Sequence, residues 1–444
     1  MAAIATPPGR GAVAVLRVSG DDVRAIGQRV FRSRRPLQPR IASLGEALDV
    51  RGEPIDQALA LYFPAPHSYT GEDVLELHVH GSPVVARETL TALLAAGARL
   101  ATPGEFTRRA FLNGKLDLSA AEAVADLVDA ESKSAARAAR ARLAGGLLAA
   151  VEAQRRRLAT LLEELSGTLD FPDEVPDPPP ERLREEIAAI DTALGELERT
   201  WEVGRMVREG VGVAIVGPPN AGKSSLLNAL LGEDRALVSE IAGTTRDTIE
   251  ESFALDGMRV RLIDTAGIRE HADRLESEGI ARSERALDAA RVALVVVDGS
   301  QPLGSEAREL LERTRARQRV VIFNKCDLGT DGFEGRAVHE SDALCVSVLN
   351  AGDVCRIGEA LAGVIAVDAP DLERPHLATA RQADCVLAAR RALARAMQIL
   401  QSGDPVDLIA PDLVEASAAL GELSGDAVTE EVLDAVFARF CIGK

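Results

Sequence analysis

One short run of residues constrains the fold of this chain more than any other. Gly217-Pro-Pro-Asn-Ala-Gly-Lys-Ser224 fits the pattern GxxxxGK[ST], and it lies between the β-rich stretch VGVAIV and the helical pattern SLLNALL. In such a loop, backbone N–H groups face phosphate oxygens, and the N-terminus of the following helix adds its positive dipole end. Lys223 then reaches the β- and γ-phosphates, and Ser224 ligates Mg²⁺. A chance glycine-rich turn is the alternative, but the strand–loop–helix context favours a nucleotide-binding α/β domain.

Two later motifs indicate which nucleotide is bound. Asp264-Thr-Ala-Gly267 follows the strand pattern RVRLI, which predicts Asp264 near the Mg²⁺ shell and the Gly267 N–H near the γ-phosphate. Asn324-Lys-Cys-Asp327 follows VVIF, where an Asp carboxylate can accept from both the ring N–H and the exocyclic amine of guanine. Ser347-Val-Leu349 is expected to close over the base edge. This order of elements resembles the translation-factor class of small GTPases and predicts GTP.

The position that orients the attacking water in many GTPases holds no suitable side chain here. Ile268 follows the DTAG motif, and an aliphatic group cannot hydrogen-bond water. Hydrolysis therefore needs another acid/base group and another positive charge. The candidates are Glu276, Arg246 and a bound monovalent cation; from the residues alone, a solvated helix charge is the favoured interpretation of Glu276.

The rest of the chain divides into segments that differ in composition and in hydrophobic pattern. Residues 211–365 alternate β-rich runs with helical patterns, which predicts a doubly wound domain, with an antiparallel edge pair at the turn Asp256-Gly257. The predicted fold class is α/β plus α+β and all-α, with a Ras-like P-loop domain inserted into a helical bundle. The predicted segments are an N-terminal α+β domain (1–115), the first helical part (116–205), the GTPase domain (206–368) and the second helical part (369–444).

The helical segments carry narrower predictions. One long helix is expected from Ser119 towards Ser166, opened by a capping box of Ser119 and Glu122. A seam of less than three heptads favours an intramolecular bundle over a dimer coiled coil. The seam residues are Leu183, Ile187, Ile190, Leu194, Leu197 and Trp201. For the arginines at 137, 140 and 142, solvated helix charge is favoured over contact with RNA.

Charge and cysteine content exclude some classes of protein. The formal net charge is −18, of which residues 1–115 contribute 14 − 11 = +3 and the remainder −21. This balance argues against an unassisted, non-specific nucleic-acid binder. The five cysteines show no metal-ligand spacing, so neither zinc nor a disulfide framework is expected, and a reducing, cytoplasmic location is predicted. No signal peptide and no bilayer-spanning run is evident, so no membrane association is expected.

Longer motifs carry a resemblance to one family. These motifs are ATPPGRG, SYTGEDVLELHVHG, TPGEFTRRAFLNGKLDLSAAEAV, IAGTTRDTIEE and the terminal FCIGK. Together they make the chain similar, over nearly its whole length, to the tRNA modification GTPases of the MnmE (TrmE) family, within the TrmE-Era-EngA-like GTPases. The resemblance implies a potassium-dependent GTPase that acts as a homodimer.

The resemblance assigns the GTP site position by position. It implies Mg²⁺ on Ser224 and Thr245, and K⁺ on Asn220, Ser239, Ile241 and Thr244, with the K⁺ replacing an arginine finger. It also makes Glu276 the leading catalytic residue, with Arg246 ordering the switch. The residues expected to contact GTP are Asn220, Ala221, Gly222, Lys223, Ser224, Ser225, Ser239, Glu240, Ile241, Ala242, Gly243, Thr244, Thr245, Asp264, Thr265, Ala266, Gly267, Asn324, Lys325, Asp327, Ser347, Val348 and Leu349.

The same resemblance implies a folate site in the N-terminal domain. A reduced folate of the 5-formyl- or 5,10-methylene-tetrahydrofolate type would contact Arg17, Glu72 and Lys115, and Lys444 is expected to join them. Without the family, surface charge is the favoured interpretation of each. Cys441 is expected to face the folate, with its chemical role left open between nucleophile, proton donor and redox thiol.

The implied function is the modification of tRNA. With an FAD-dependent partner, MnmG in the family, the chain would form a heterotetramer that installs a carboxymethylaminomethyl-type group at C5 of the wobble uridine. The alternatives are a ribosome-assembly GTPase switch and a folate aminomethyltransferase with a vestigial GTPase. Because the chain is acidic, most of the charge that binds tRNA is expected to come from the partner.

Three departures from the family pattern stand out. Family members usually have a few more residues before ATPPGRG, so a truncated or misassigned start is expected. Ser347-Val348 replaces the usual Ser-Ala, and Pro218 stands where Arg is common. The Pro218 change is expected to be harmless because the backbone of the phosphate loop binds the phosphates.

Overall fold

The computed structural model describes residues 1–170, 176–234, 251–263, 284–329, 343–366 and 374–444. These residues form two compact units. Unit 1 comprises residues 1–128, 142–193 and 384–444, and unit 2 comprises residues 129–141 and 194–383.

The N-terminal part of unit 1 is built on a six-stranded antiparallel sheet with the order β1-β2-β6-β5-β4-β3. Its strands are β1 (Ala2–Ile4), β2 (Val13–Ser19), β3 (Phe31–Ser33), β4 (Ser43–Leu48), β5 (Pro54–Phe63) and β6 (Val74–His80). The alternation in β2 places Leu16 and Val18 in the core, fully buried, and Arg17 on the opposite face. Arg17 pairs in register with Glu76 of β6. The three strands expected from the sequence here are confirmed, and β1, β3 and β4 were not predicted.

The helices of residues 1–170 are α1 (Val23–Val30), α2 (Pro83–Ala95), α3 (Glu105–Leu112), α4 (Leu118–Val128), α5 (Lys133–Leu143) and α6 (Gly146–Asp170). The expected single helix from Ser119 is therefore wrong, since three helices occupy that stretch. One interruption contains Gly145, whose φ of +83° suits glycine and ends a helix. The expected capping box is also wrong: α4 begins at Leu118, and the Asp117 carboxylate accepts from the Ala120 N–H at 3.0 Å.

Further helices complete the described chain: α7 (Pro180–Arg199), α8 (Trp201–Glu209), α9 (Lys223–Asp234), α10 (Ser305–Arg313), α11 (Ala351–Ala366), α12 (Ala380–Ser402), α13 (Ala410–Ser424) and α14 (Glu430–Phe437). A short stretch at 284–289 is also helical. Within the described ranges, no helix has the length and apolar character needed to cross a bilayer.

The helical part of unit 1 packs as an intramolecular bundle. The seam residues on α7 are buried within the single chain, both those in unit 1 (Leu183, Ile187 and Ile190) and the two where the helix continues into unit 2 (Leu194 and Leu197). Trp201 is the first residue of α8 and is half-buried. Arg157 of α6 pairs with Glu186 of α7 at 2.7 Å, and Asp191 of α7 pairs with Arg390 of α12 at 2.8 Å. The preference for a bundle over a dimer coiled coil is confirmed.

One of the three arginines assigned to solvated helix charge is buried instead. Arg142 is 4% exposed and pairs with Asp126 of α4 at 2.5 Å. The prediction was wrong for Arg142 because its acidic partner lies on another helix, 16 residues earlier. Arg137 and Arg140 are exposed, as expected.

Unit 2 contains a second six-stranded sheet with the order β12-β11-β10-β7-β9-β8. Its strands are β7 (Val211–Val216), β8 (Glu251–Leu255), β9 (Met258–Ile263), β10 (Val292–Asp298), β11 (Gln318–Asn324) and β12 (Leu344–Cys345). All neighbours pair in parallel except β8 and β9, which form the predicted hairpin at Asp256-Gly257. Every residue of β7 is buried, as expected for a central parallel strand. The doubly wound α/β domain is confirmed.

Two cysteines of unit 2 form a disulfide that the sequence did not predict. Cys326 follows β11, Cys345 lies on the adjacent strand β12, and their Cα atoms are 6.1 Å apart. The expectation of no disulfide is therefore wrong for this pair. The residues are 19 positions apart in the chain, and only the pairing of the strands brings them together. Cys355, Cys385 and Cys441 are not part of a disulfide.

Candidate functional site

The phosphate-binding loop lies where the sequence places it, between β7 and α9. Asn220 has a φ of +62° inside the loop, and Lys223 is the first residue of α9. The Lys223 ammonium donates to the backbone carbonyls of Gly217 at 2.7 Å and Pro218 at 2.8 Å. Burial lowers the pKa of Lys223, because desolvation disfavours its charged form. The lysine is thus folded back over its own loop, and nearby anionic oxygens would restore its preference for the charged form.

Asn324 connects the base-reading motif to two other loops. Its side chain is 1% exposed, and its amide nitrogen donates to the carbonyl of Ala221 at 2.8 Å. Its amide oxygen accepts from the Val348 N–H at 3.1 Å. One buried amide therefore joins the phosphate loop, the end of β11 and the loop that follows β12.

The neighbours of Asn324 are also held in place. Lys325 has a φ of +64°, and its ammonium pairs with Asp298 at the end of β10 at 2.8 Å. Burial opposes the ionisation of Asp298, but hydrogen bonds from Lys325 and Ser300 outweigh it and lower the Asp298 pKa. Asp327 is exposed at the rim of this site.

The loop after β12 is ordered by its own helix. The Asp353 carboxylate in α11 accepts from the Ser347 N–H at 2.9 Å, and Leu349 is 84% exposed. Ser347 and Val348 are each 8% exposed. Contact of Ser347, Val348 and Leu349 with guanine stays a prediction.

Several predicted site residues lie outside the described ranges. These residues are Ser239, Glu240, Ile241, Ala242, Gly243, Thr244, Thr245, Arg246, Asp264, Thr265, Ala266, Gly267 and Glu276. Of the predicted metal ligands, the structure describes only Ser224 and Asn220; Ser224 is half-buried, while Asn220 and the neighbouring Ser225 are exposed. Among the described residues, no group of three or more His, Cys, Asp or Glu side chains could hold a metal ion.

A second polar cluster lies on the sheet of unit 1, around β2. The Arg17 guanidinium donates to Glu76 at 2.9 Å and lies 5.6 Å from the centres of the Tyr69 and Phe106 rings. Arg17 is therefore already paired with an acid. A cation over two aromatic rings is also a stabilising arrangement in itself.

The Glu72 carboxylate is likewise engaged. It accepts from the Ser19 hydroxyl at 2.8 Å and from Arg109 of α3 at 2.8 Å. Arg109 and Ser19 were not among the predicted site residues, although Arg109 lies in one of the motifs shared with the family. Nothing in the local pattern could have paired Arg109 with a carboxylate 37 residues away.

Lys115 borders the same loop as Glu72. Its ammonium donates to the Pro66 carbonyl at 3.2 Å, and the neighbouring Asn113 amide donates to the Thr70 carbonyl at 2.7 Å. Lys115 is exposed and bonded only weakly, so it is the cation of this cluster that a ligand can most easily recruit.

The C-terminal residues lie against the start of α3. The Lys444 carbonyl accepts from the Phe106 N–H at 3.1 Å, and the Cys441 carbonyl accepts from the Gly104 N–H at 3.4 Å. At Gly443, where φ is +99°, a Cβ would lie 2.6 Å from the Ile4 carbonyl oxygen. Cys441 is exposed. Phe106 therefore contacts Arg17 through its ring and Lys444 through its backbone N–H.

The donor set around this loop suits a flat anionic ligand such as a folate. Tyr69 is 37% exposed, which offers part of an aromatic face, and Lys115 supplies an exposed cation at the edge of the cluster. Arg17 suits an anionic ligand less well than expected, because its guanidinium already forms an ion pair with Glu76. The Glu72 carboxylate can accept one further hydrogen bond only alongside Arg109 and Ser19.

A doubly wound sheet, a phosphate-binding loop after its central strand and an NKCD motif after β11 define a P-loop protein of the GTPase class. The family model "GTP-binding protein TrmE N-terminus" matches residues 1–115, and the model "MnmE helical domain" matches residues 118–441. The chain belongs to the MnmE (TrmE) family of tRNA modification GTPases.

Three relatives show the extent of the similarity. The tRNA modification GTPase MnmE of Moorella thermoacetica is 43% identical over 469 residues, and that of Symbiobacterium thermophilum is 44% identical over 459 residues. The protein of the same name from Aquifex aeolicus is 39% identical over 448 residues. Each alignment covers 100% of this chain and 99% of the relative.

Proposed function

We propose that the chain binds and hydrolyses GTP and uses the cycle in the modification of tRNA. The main support for a GTP site is the pair of hydrogen bonds that the Asn324 side chain makes. They fix the position of the phosphate loop relative to the loop after β12, which is expected to contact the base. Membership of the family supports the role in tRNA modification.

For hydrolysis, we assign Mg²⁺ to Ser224 and Thr245, and K⁺ to Asn220 with oxygens of the 239–244 segment. When bound, these cations supply the positive charge that offsets the charge on the transferring phosphoryl group. The chain's own residues do the rest: Lys223 exchanges its two backbone carbonyl acceptors for phosphate oxygens, and Glu276 orients and deprotonates the water. Arg246 orders the switch segment.

For the carbon chemistry, we assign a reduced folate to the cluster of Lys115, Lys444, Glu72 and Arg17, with Cys441 beside it. The exposed Lys115 cation, the Glu72 carboxylate and the Tyr69 ring support this assignment, as does the packing of CIGK against α3. The product would be a carboxymethylaminomethyl-type group on the wobble uridine. A homodimer of this chain would make this group together with an FAD-dependent partner of the MnmG type.

Hydrolysis in K⁺ and in Na⁺ tests the ion-assisted mechanism. We expect GTP turnover to fall at least tenfold in Na⁺ and in the variant Glu276→Gln, each of which removes one assigned group. Equal rates in the two salts would exclude K⁺ as a catalytic group here.

Analysis of wobble nucleosides tests the role in modification. A strain that lacks the gene should lose the modified uridine and regain it with the wild-type chain but not with Cys441→Ser. Cys355→Ser is the matched control, because Cys355 is also exposed and not part of a disulfide. Unmodified tRNA in the control strain, or modified tRNA in the deletion strain, would contradict the assignment. The alternative, a ribosome-assembly switch, predicts modified tRNA in all of these strains.

A further inference from the structure

A cavity of about 690 Å³ lies on unit 1 beside α1, and Arg17, Glu72, Lys115 and Lys444 are not among the residues that line it. Its apolar walls come from α1, β3, β4, β5 and the segment that follows β3, and they include Phe31, Leu37, Leu48 and Tyr62. A volume of this size is typical of a small-molecule or nucleotide site.

The rim of this cavity is made of arginine. Arg24, Arg32, Arg34 and Arg35 all line it, and we call it the arginine-rimmed cavity. The segment 29–40 contains five arginines and no acidic residue, in a chain whose net charge is −18. The cavity is therefore a local exception to the charge of the whole chain.

The four rim arginines are not equivalent. Arg24 donates to the Tyr62 hydroxyl at 2.7 Å and lies 3.6 Å from Asp73, and Arg32 pairs with Glu46 at 2.8 Å. Arg34 and Arg35 are exposed, and among the described residues neither side chain has a hydrogen bond or an ion pair. Two guanidinium groups thus stand at the rim with their donors available.

The backbone that carries Arg34 and Arg35 is restrained. Pro36 and Pro39 fix φ just after them, and the Arg40 side chain donates to the His67 carbonyl at 2.6 Å. The Ser33 hydroxyl also donates to the Arg35 carbonyl at 2.6 Å. A restrained loop loses less conformational entropy when a ligand binds.

Apolar walls below free guanidinium groups suit a ligand that has a flat, weakly polar body and a phosphate. We propose that the arginine-rimmed cavity binds a nucleoside phosphate, with the base against the walls and the phosphate at Arg34 and Arg35. The phosphate could come from an RNA strand or from a free nucleotide. The RNA source rests on the proposed function in tRNA modification, whereas the cavity and its charges do not.

The test measures binding directly and does not depend on modification activity. The full-length chain, saturated with GDP, is titrated with a fluorescent single-stranded RNA heptamer at several salt concentrations. The variant Arg34→Gln/Arg35→Gln changes exposed residues, so it is expected to fold. Its matched control, Arg51→Gln/Arg87→Gln, removes two exposed arginines of unit 1 that do not line the cavity.

If the proposal holds, the double variant weakens RNA binding several-fold and the control does not. The slope of log K against log salt should fall by about 1.4, since each phosphate contact to a single strand contributes about 0.7. Leu37→Ser should weaken binding with the slope unchanged, because it alters an apolar wall and no charge. Equal losses in the variant and its control would overturn the proposal.

Competition between the labelled heptamer and unlabelled ligands distinguishes an RNA strand from a free nucleotide as the source of the phosphate. Unlabelled heptamer that competes at much lower concentration than 5′-UMP supports an RNA strand, and equal competition by the two supports a free nucleotide. Failure of saturating 5′-UMP to displace the heptamer would place the RNA outside the cavity and overturn the proposal. Displacement by inorganic phosphate as readily as by 5′-UMP would overturn the proposal, since the walls would then contribute nothing. Absence of binding by both the heptamer and 5′-UMP would also overturn it, while leaving the proposed GTPase and modification roles intact.

Discussion

The side-chain amide of Asn324 hydrogen-bonds the Ala221 carbonyl and the Val348 N–H at the same time, although these two residues are far apart in the chain. All three are buried, so water cannot replace either bond. The phosphate loop and the loop after β12 therefore hold their positions relative to each other through one residue.

Asn324→Ala should separate these two loops. The change leaves a buried carbonyl and a buried N–H without partners, at a cost of about 2–6 kcal/mol in total. We expect GDP affinity to fall at least tenfold and the unfolding midpoint of unit 2 to drop. Titration calorimetry and thermal unfolding measure these effects.

Asn350→Ala is the control for this prediction, since the exposed Asn350 side chain caps only its own turn through the Gly352 N–H. It should leave GDP affinity unchanged. Wild-type affinity in Asn324→Ala would show that the two loops hold together without the amide.

The disulfide between Cys326 and Cys345 should be visible as a thiol count. In denaturant without reductant, we expect three reactive thiols, from Cys355, Cys385 and Cys441, and five after reduction. Five thiols before reduction would contradict the pairing.

Reduction should also destabilise unit 2. A cross-link that closes a loop with a separation of 19 residues contributes about 3 kcal/mol through the unfolded state. Cys326→Ser/Cys345→Ser should therefore unfold at a lower temperature than the oxidised chain and show no further change on reduction. Cys355→Ser should behave as the wild type.

The ion pairs of Glu105 make the stability of unit 1 depend on pH. Burial opposes ionisation of Glu105, but hydrogen bonds from Arg99, the Thr102 N–H and Arg109 outweigh it and lower its pKa from 4.5 to about 2. Because the folded-state pKa is below the unfolded value, this contribution is fully present above pH ~4.5 and is lost as the pH falls towards 2. Its size is on the order of 2 kcal/mol, since water screens the exposed Arg99.

Glu105→Gln should flatten the dependence of the unfolding free energy on pH between about 4.5 and 2. Denaturant melts of both proteins at several pH values measure the difference. Glu88→Gln, which changes an exposed carboxylate of α2, should retain the wild-type slope. A wild-type slope in Glu105→Gln would show that other groups dominate acid unfolding.

Gly443→Ala should displace the C-terminal residues from α3. The new Cβ would lie 2.6 Å from the Ile4 carbonyl, at a φ of +99° that disfavours alanine. We expect loss of wobble-uridine modification with unchanged GTP hydrolysis, because only the neighbourhood of Cys441 moves.

Gly52→Ala separates backbone strain from the clash at Gly443. Gly52 has a φ of +84°, but nothing lies within 4 Å of the added Cβ. This variant should keep modification near the wild-type level. Normal modification by Gly443→Ala would contradict the importance of the terminal packing.

The features that the sequence predicted well are specified by short runs of contiguous residues. The phosphate loop is a local pattern between a strand and a helix, and Asp256-Gly257 is a two-residue turn between two strands. Both specify their geometry within a few positions, so neither depends on the rest of the fold.

The features that it missed depend on distant partners. Arg142 is buried because Asp126 lies on a neighbouring helix, Cys326 meets Cys345 because two strands are adjacent, and Arg109 meets Glu72 because α3 packs beside the loop that carries Glu72. The motif NKCD indicated a base-reading role for Asn324, but not its bonds to two other loops. Such pairings follow from tertiary packing, which no local pattern encodes.

The order of segments in the chain has a consequence for its synthesis. Unit 1 needs residues 384–444, which the ribosome makes only after all of unit 2. The Cys441 and Lys444 carbonyls bond to Gly104 and Phe106, residues made early and left without these partners until residues 441–444 have been synthesised. All of unit 2 is therefore available to fold before the N-terminal cluster can be completed. A chain that stops before residue 441 would keep every residue of unit 2 but lack Cys441.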